Sequence, residues 1–144
     1  MIEKDTVRLL RECDAGVKMG IASIDNVLEY VSDKTLKKHL TNCKKEHEEL
    51  EGKIQQLLHK YHDDGKEPNT MAKGMSWIKT NVKLTIDESD GTIAELMTDG
   101  CNMGVKYLNR YLNEYEAADE SSKNIAKELT RIEEELVTDI RQFL

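Results

Sequence analysis

Apolar residues recur along this chain at alternating steps of three and four, the period that places them on one face of an α-helix. Over the first stretch, from about Ile2 to Ser32, that face reads Val7, Leu10, Val17, Ile21, Ile24, Leu28 and Val31, with Asp14 its single polar member. Ser32 or Asp33 can cap a second helix, whose face reads Leu36, Leu40, Cys43, Leu50, Ile54, Leu57 and Tyr61 and is interrupted by His47. With only one or two residues between them, the two predicted helices are antiparallel neighbours, each of about 30 residues and on the order of 45 Å long.

The run Asp63-Asp64-Gly65-Lys66-Glu67-Pro68-Asn69 stops the second helix, since glycine terminates it and proline cannot continue it. Asn69 or Thr70 then caps a shorter predicted helix to about Ile86, with Ile78, Val82 and Ile86 on one stripe and Trp77 as a large anchor. The acidic run Asp87-Glu88-Ser89-Asp90 supplies the cap of a third long helix, which carries Ala94, Thr98, Cys101, Val105, Leu108, Leu112 and Tyr115. A fourth carries Ala126, Leu129, Leu136, Ile140 and Phe143, with Glu133 in the seam or, where the stripe uses Ile132, at its edge. The chain turns between them around Ala118 to Ser121. The pattern is all-α: one helical-bundle domain over 1–144, built from a hairpin at 1–63, a crossover with its own short helix at 64–88, and a hairpin at 89–144.

Composition fits this picture and narrows the partners. The 144 residues, 38% of them apolar, are enough to bury roughly two-thirds of the unfolded surface in one core. A net charge of -7, with Lys and Arg interleaved among carboxylates, argues against a nucleic-acid partner. Even the densest basic run, Lys37, Lys38, Lys44 and Lys45, is followed at once by Glu46, Glu48, Glu49 and Glu51. No apolar run approaches the ~20 residues that span a bilayer, and Met1 is followed by Glu3, Lys4 and Asp5, so the expectation is a cytoplasmic protein without a membrane partner. Cys13, Cys43 and Cys101 are widely spaced and fall on or beside apolar stripes, which suits buried, reduced thiols.

The two hairpins read as distant copies. Met19-Gly20-Ile21 recurs as Met103-Gly104-Val105 at an offset of 84, and Gly16 matches Gly100. In the second arms an offset of 86 puts Cys43 on Leu129, Leu50 on Leu136, Ile54 on Ile140 and His47 on Glu133. The paired glycines lie four apart on one helical face, a spacing that admits a neighbouring backbone or bulky side chain. His47 stands 14 residues beyond Asp33 and Glu133 stands 14 beyond Asp119, so both are expected near mid-bundle and within reach of each other. Asp14 is displaced from His47 by about 7 Å along the axis, so it forms with Thr98 a separate second set.

Two long helical hairpins joined by a helix-bearing crossover resemble the ferritin-like superfamily, over essentially the whole chain. Cys13-Asp14-Ala15-Gly16, Gly74-Met75-Ser76-Trp77 and Asp99-Gly100 are similar to short stretches of a bacterial ferritin-like subfamily without an assigned activity. The resemblance implies a possible transition metal such as iron, and a homodimer. Iron-binding members place a glutamate on each of two helices and a Glu-x-x-His pair on each of the other two. This sequence departs from that pattern: Lys44 stands three before His47, Leu136 stands three after Glu133, and His39, His59 and His62 have no glutamate three residues earlier.

Two readings of the polar seam positions follow. In the first, His47 and Glu133 form a buried hydrogen-bonded pair that fixes helix partners, and the protein is a non-catalytic structural or interaction module. In the second, His47, Glu133 and Asp14, joined by Glu46 or Asp99, surround a mononuclear or degenerate di-metal site of the iron type. No nucleophile–base set and no phosphate loop is legible. Tyr107, Tyr111 and Tyr115, at successive steps of four, add an aromatic ridge of the sort found at protein interfaces, consistent with a homodimer or a protein partner.

Overall fold

The computed structural model describes residues 2–66 and 89–144. The expected connecting helix with Trp77, Ile78, Val82 and Ile86 lies outside the described residues. Among those described, four long helices pack together: α1 (Ile2–Leu28), α2 (Lys34–Lys60), α3 (Asp90–Glu114) and α4 (Glu120–Ile140), the last running into a single 3-10 turn at Arg141–Phe143.

Three of these helices begin on a capping side chain. The Asp33 carboxylate accepts the backbone N–H groups of Thr35 and Leu36 at 2.7 and 3.0 Å, Ser89 accepts that of Thr92 at 3.2 Å, and Asp119 accepts that of Ser122 at 2.8 Å. The cap at Asp33 requires extended backbone there, with φ -76° and ψ 129°, so α1 cannot run on to Ser32 as expected. It ends at Leu28, and residues 29–33 form a longer connection than one or two residues. α2 likewise stops at Lys60 and not at the glycine. His62 takes a left-handed φ of 55°, and the N–H groups of His62 and Asp63 return to the carbonyls of His59 and Leu58.

Contacts between α1 and α2 rise on one helix as they fall on the other. Asp25 pairs with Lys44 at 2.6 Å, Gly20 meets His47, Asp14 accepts a hydrogen bond from Gln55 at 2.9 Å, and Arg11 meets Asp63 at 2.7 Å. The expected seam residues Leu10, Val17, Ile24, Leu36, Leu40, Leu50, Ile54, Ala94, Leu108, Ala126, Leu129, Leu136 and Ile140 are buried in one cluster drawn from all four helices. Each stripe is wider than a single seam, because a helix in a four-helix bundle faces more than one neighbour. Leu9, Cys13 and Val27 widen α1, Leu58 is buried where Leu57 was expected, and Ile132 is buried beside Glu133 and not in place of it.

The α1–α2 and α3–α4 connections are each held by the start of a helix from the other half of the chain. Asp90, the first residue of α3, accepts the N–H groups of Ser32 and Asp33, both at 2.9 Å. Near the start of α1, Asp5 accepts the N–H of Ala117 at 3.1 Å and the Thr6 hydroxyl accepts that of Asp119 at 2.8 Å. Thr6 is buried, which limits the competition of water for its bond. Thr6→Val keeps the shape and orphans the Asp119 N–H; urea unfolding is expected to show a loss of about 1–3 kcal/mol with an unchanged m-value. Asp90→Ala, at an exposed connection, is expected to lose about 1 kcal/mol. An unaltered midpoint in both variants would remove these bonds from the account of stability.

Candidate functional site

His47 projects from the buried face of α2 toward α1. Its Nδ1 lies 2.8 Å from the Cys43 carbonyl oxygen one turn earlier, which fixes the proton on that nitrogen and leaves Nε2 with a bare electron pair. That electron pair meets no hydrogen-bond donor. It rests on the backbone of Gly20, where a Cβ would stand only 2.6 Å from Nε2 and 2.7 Å from Cδ2. Burial lowers the His47 pKa, opposed in part by the Cys43 hydrogen bond, and the ring is neutral at neutral pH.

Glu133 repeats the arrangement on the other helix pair. Its carboxyl tip lies over Gly104 of α3, where a Cβ would stand 2.9 Å from Cδ and Oε1 and closer still to Oε2. Oε2 also has no hydrogen-bond partner. Only 8% of the residue is exposed, and burial pushes its pKa up to about 8, so it too is uncharged at neutral pH. The glycines at 20 and 104 therefore act as notches that accept a polar side chain, as their spacing suggested. Gly16 does not: a Cβ there would sit at an ordinary 3.6 Å from Leu129.

The expected hydrogen bond between His47 and Glu133 is not formed. Both tips are spent on the glycine of the adjoining helix, and the atom each would offer is unpaired. Thr98, expected to share a second set with Asp14, also keeps a buried hydroxyl without a partner.

Asp14 is fully buried, and its carboxylate is already taken up. Oδ1 accepts from Gln55 at 2.9 Å, while Oδ2 accepts from the Lys66 N–H at 2.8 Å and pairs with Lys18 at 3.0 Å. Gln55 donates in addition to Glu51 at 3.0 Å, and burial, with a hydrogen bond to Asp14, raises the Glu51 pKa to about 7. Gly65, with φ +88°, folds the chain back so tightly that a Cβ there would meet the Asp14 carboxyl carbon at 3.0 Å. Sequence reasoning missed Glu51, Gln55, Lys18 and Lys66. Counting six residues forward along α2 from His47, to match the six from Gly20 back to Asp14, reaches Lys53, two residues short of Gln55.

Of the further candidate ligands, Glu46 is drawn to Arg131 at 3.3 Å and Asp99 is exposed. Among the described residues, no three side chains of His, Cys, Asp or Glu converge as a metal-binding group. The three cysteines are free and buried, as expected. Burial and then nearby carboxylates, Glu133 among them for all three, raise their pKa values, that of Cys43 to about 12, so none is a thiolate nucleophile at neutral pH. No described helix is long and apolar enough to cross a membrane. The chain matches no protein-family model, no curated protein and no solved structure.

Gly20→Ala adds helix propensity worth about 1 kcal/mol but drives a methyl into an imidazole pinned by its Cys43 bond, so calorimetry is expected to show a net loss of about 1–2 kcal/mol. Gly104→Ala meets a more flexible carboxyl and should lose less, whereas Gly52→Ala, with open space around the added carbon, should gain up to about 1 kcal/mol. Equal gains at all three positions would contradict the notches. Glu133 also sets a pH dependence. Its folded pKa lies above the unfolded value, so its contribution is complete below about pH 4.5 and is lost as the pH rises through 8. Between pH 5 and 8 the loss is on the order of 3 kcal/mol, and Glu133→Gln should abolish that share. Glu51 leaves a weaker fall in the same direction, while His47, with a lowered pKa, costs stability only as the pH falls below 6.5. Denaturant midpoints at pH 5, 7 and 8 for both proteins read the difference.

Proposed function

We propose that this protein is a non-catalytic, ferritin-like helical bundle of two related antiparallel hairpins, a structural or interaction module in which His47 and Glu133 set the helix partners. The observation that carries the reading is the correspondence of contacts under the offsets of the internal repeat. Gly20 with His47 matches Gly104 with Glu133, and Thr6 with Asp119 matches Asp90 with Asp33. In both hairpins a glycine of the first arm receives the polar residue of the second, and an aspartate caps the second arm. Such keyed pairs select a register against the one-turn slips that a wholly apolar seam tolerates. The connection between α2 and α3 fits a crossover as well. Lys66 is tied at the level of Asp14, whereas Asp90 is tied beside Ser32, beyond the C-terminus of α1, which lies about 21 Å further along that helix.

A second reading, an iron-type transition metal bound in the same place, draws on the unpaired electron pair of His47 Nε2 and the unpaired Oε2 of Glu133 inside the bundle. Asp14 contributes little to it, since Gln55, the Lys66 N–H and Lys18 already occupy both oxygens.

Two measurements separate the readings. Protein purified without chelator or affinity tag is expected to carry no transition metal near stoichiometry by elemental analysis; one metal per chain would establish the second reading instead. The paired exchange His47→Leu with Glu133→Leu is expected to keep the helical circular dichroism and cooperative unfolding, at equal or higher stability. A double variant that fails to fold would count against a purely positional role.

A further inference from the structure

A second carboxyl group lies against the buried carboxylate of Asp14. The Gln55 amide braces the two, its Nε2 donating to Asp14 Oδ1 at 2.9 Å and to Glu51 Oε1 at 3.0 Å, and Glu51 is itself in hydrogen-bonding contact with Asp14. The other Glu51 oxygen, Oε2, is buried and meets no donor. Two ionised carboxylates have no hydrogen to place between them, so a bond from one to the other needs a proton on one of the pair. Asp14 already accepts from Gln55, the Lys66 N–H and Lys18, which favours its charged form. Glu51 is then the acid, and its unpaired Oε2 is the atom free to donate. The charges around it agree. Burial and then Asp14 of α1 oppose its ionisation, Lys18 of α1 favours it, and Lys66 beyond α2 is engaged with Glu12.

The pair sits under a turn. Gly65, at φ +88°, folds directly onto the Asp14 carboxyl, and Lys66 follows with its N–H on Asp14 and its Nζ on Glu12, so this carboxylate and its neighbour fasten the end of α2 to α1. We infer that Asp14 and Glu51 share a single proton, and that this proton latches the Gly65–Lys66 turn: its loss turns Glu51 out to solvent and opens Asp14 to water. Asp14 is enclosed and held by three donors, whereas Glu51 is half-buried, so repulsion between two carboxylates moves Glu51. Gln55 then loses one acceptor, and water reaching Asp14 competes for the Lys66 N–H. The proton belongs to the pair and is held up to about pH 7, so the latch opens near neutrality, where ordinary carboxyl groups are long since ionised. Neither His47 nor Glu133 takes part, so the latch stands apart from both readings of the mid-bundle residues.

Amide hydrogen exchange of the full chain, read by NMR as protection factors so that the intrinsic pH dependence of exchange is removed, tests the latch. The Lys66 N–H is expected to lose about tenfold of its protection or more between about pH 5.5 and about pH 8.5. The N–H groups of Leu50 and Ile54, buried on α2, report any loss common to the whole fold, and Lys66 should lose more than they do. Glu51→Gln keeps a neutral donor in place, so in that variant the excess loss at Lys66 should vanish. In the unaltered chain the side-chain carboxyl carbon shift of Glu51 should titrate near neutral pH, and the Lys66 amide shift should follow the same midpoint. A Glu51 midpoint in the ordinary carboxylate range, a Lys66 protection that only tracks Leu50 and Ile54, or an equal excess loss in Glu51→Gln would each overturn the latch. The first two outcomes are read without any variant.

Discussion

A carboxyl and an imidazole inside a hydrocarbon core need room and must shed their charge. Gly20 and Gly104 meet the first demand and burial enforces the second. Without a Cβ at these two positions, the tip of a long polar side chain lies against the neighbouring helix backbone, and the surrounding leucines close over it. The fit constrains the register of each helix pair, because a slip of one turn toward the C-terminus of α1 or α3 would drive His47 or Glu133 into the side chain of Ile24 or Leu108. The thiols depend on it as well. Cys13, Cys43 and Cys101 all feel Glu133, and a neutral Glu133 leaves them as small apolar fillers beside a polar but uncharged centre.

The two buried polar regions solve the same problem in opposite ways. At mid-bundle, His47 and Glu133 are neutral and stand apart, each accommodated by shape. Around Asp14 the solution is pairing: Lys18, Gln55 and the Lys66 N–H converge on one carboxylate. The second arrangement ties down the chain just beyond α2, where Gly65 turns back onto α1, and a further bond from Lys66 to Glu12 holds the same segment. One carboxylate thus anchors a change of chain direction, while the other occupies a notch.

Much of the architecture could be read from periodicity. The four long helices, the buried seam residues and the aspartate cap of α2 followed from spacing and capping chemistry, because those signals are local. The glycine notches were foreshadowed by the Met-Gly repeat, which marked close approach without saying what approaches. Helix ends were less legible: α1 stops at Leu28, and Ser32 and Asp33, beyond its end, give their N–H groups to Asp90, a residue 57 or 58 positions away. The pairing of His47 with Glu133 misled for a related reason. Equal distances from their caps bring two residues to one level of a bundle but do not reveal that His47 turns toward Gly20 of α1 and Glu133 toward Gly104 of α3. The partners of Asp14 were hidden because Gln55 and Lys66 read as ordinary surface residues until the path of the chain is known.

The ties between helix starts and the opposite connections bear on how the molecule breathes. A loop fastened only within its own hairpin can fray alone, exchanging its amide protons through small local openings. Here Ser32 and Asp33 release their protons only when Asp90 withdraws, and Ala117 and Asp119 only when the first turns of α1 loosen. Each of these two connections is thereby coupled to a helix distant in sequence, so that a loop, ordinarily the softest part of a helical protein, opens together with the helix start that holds it.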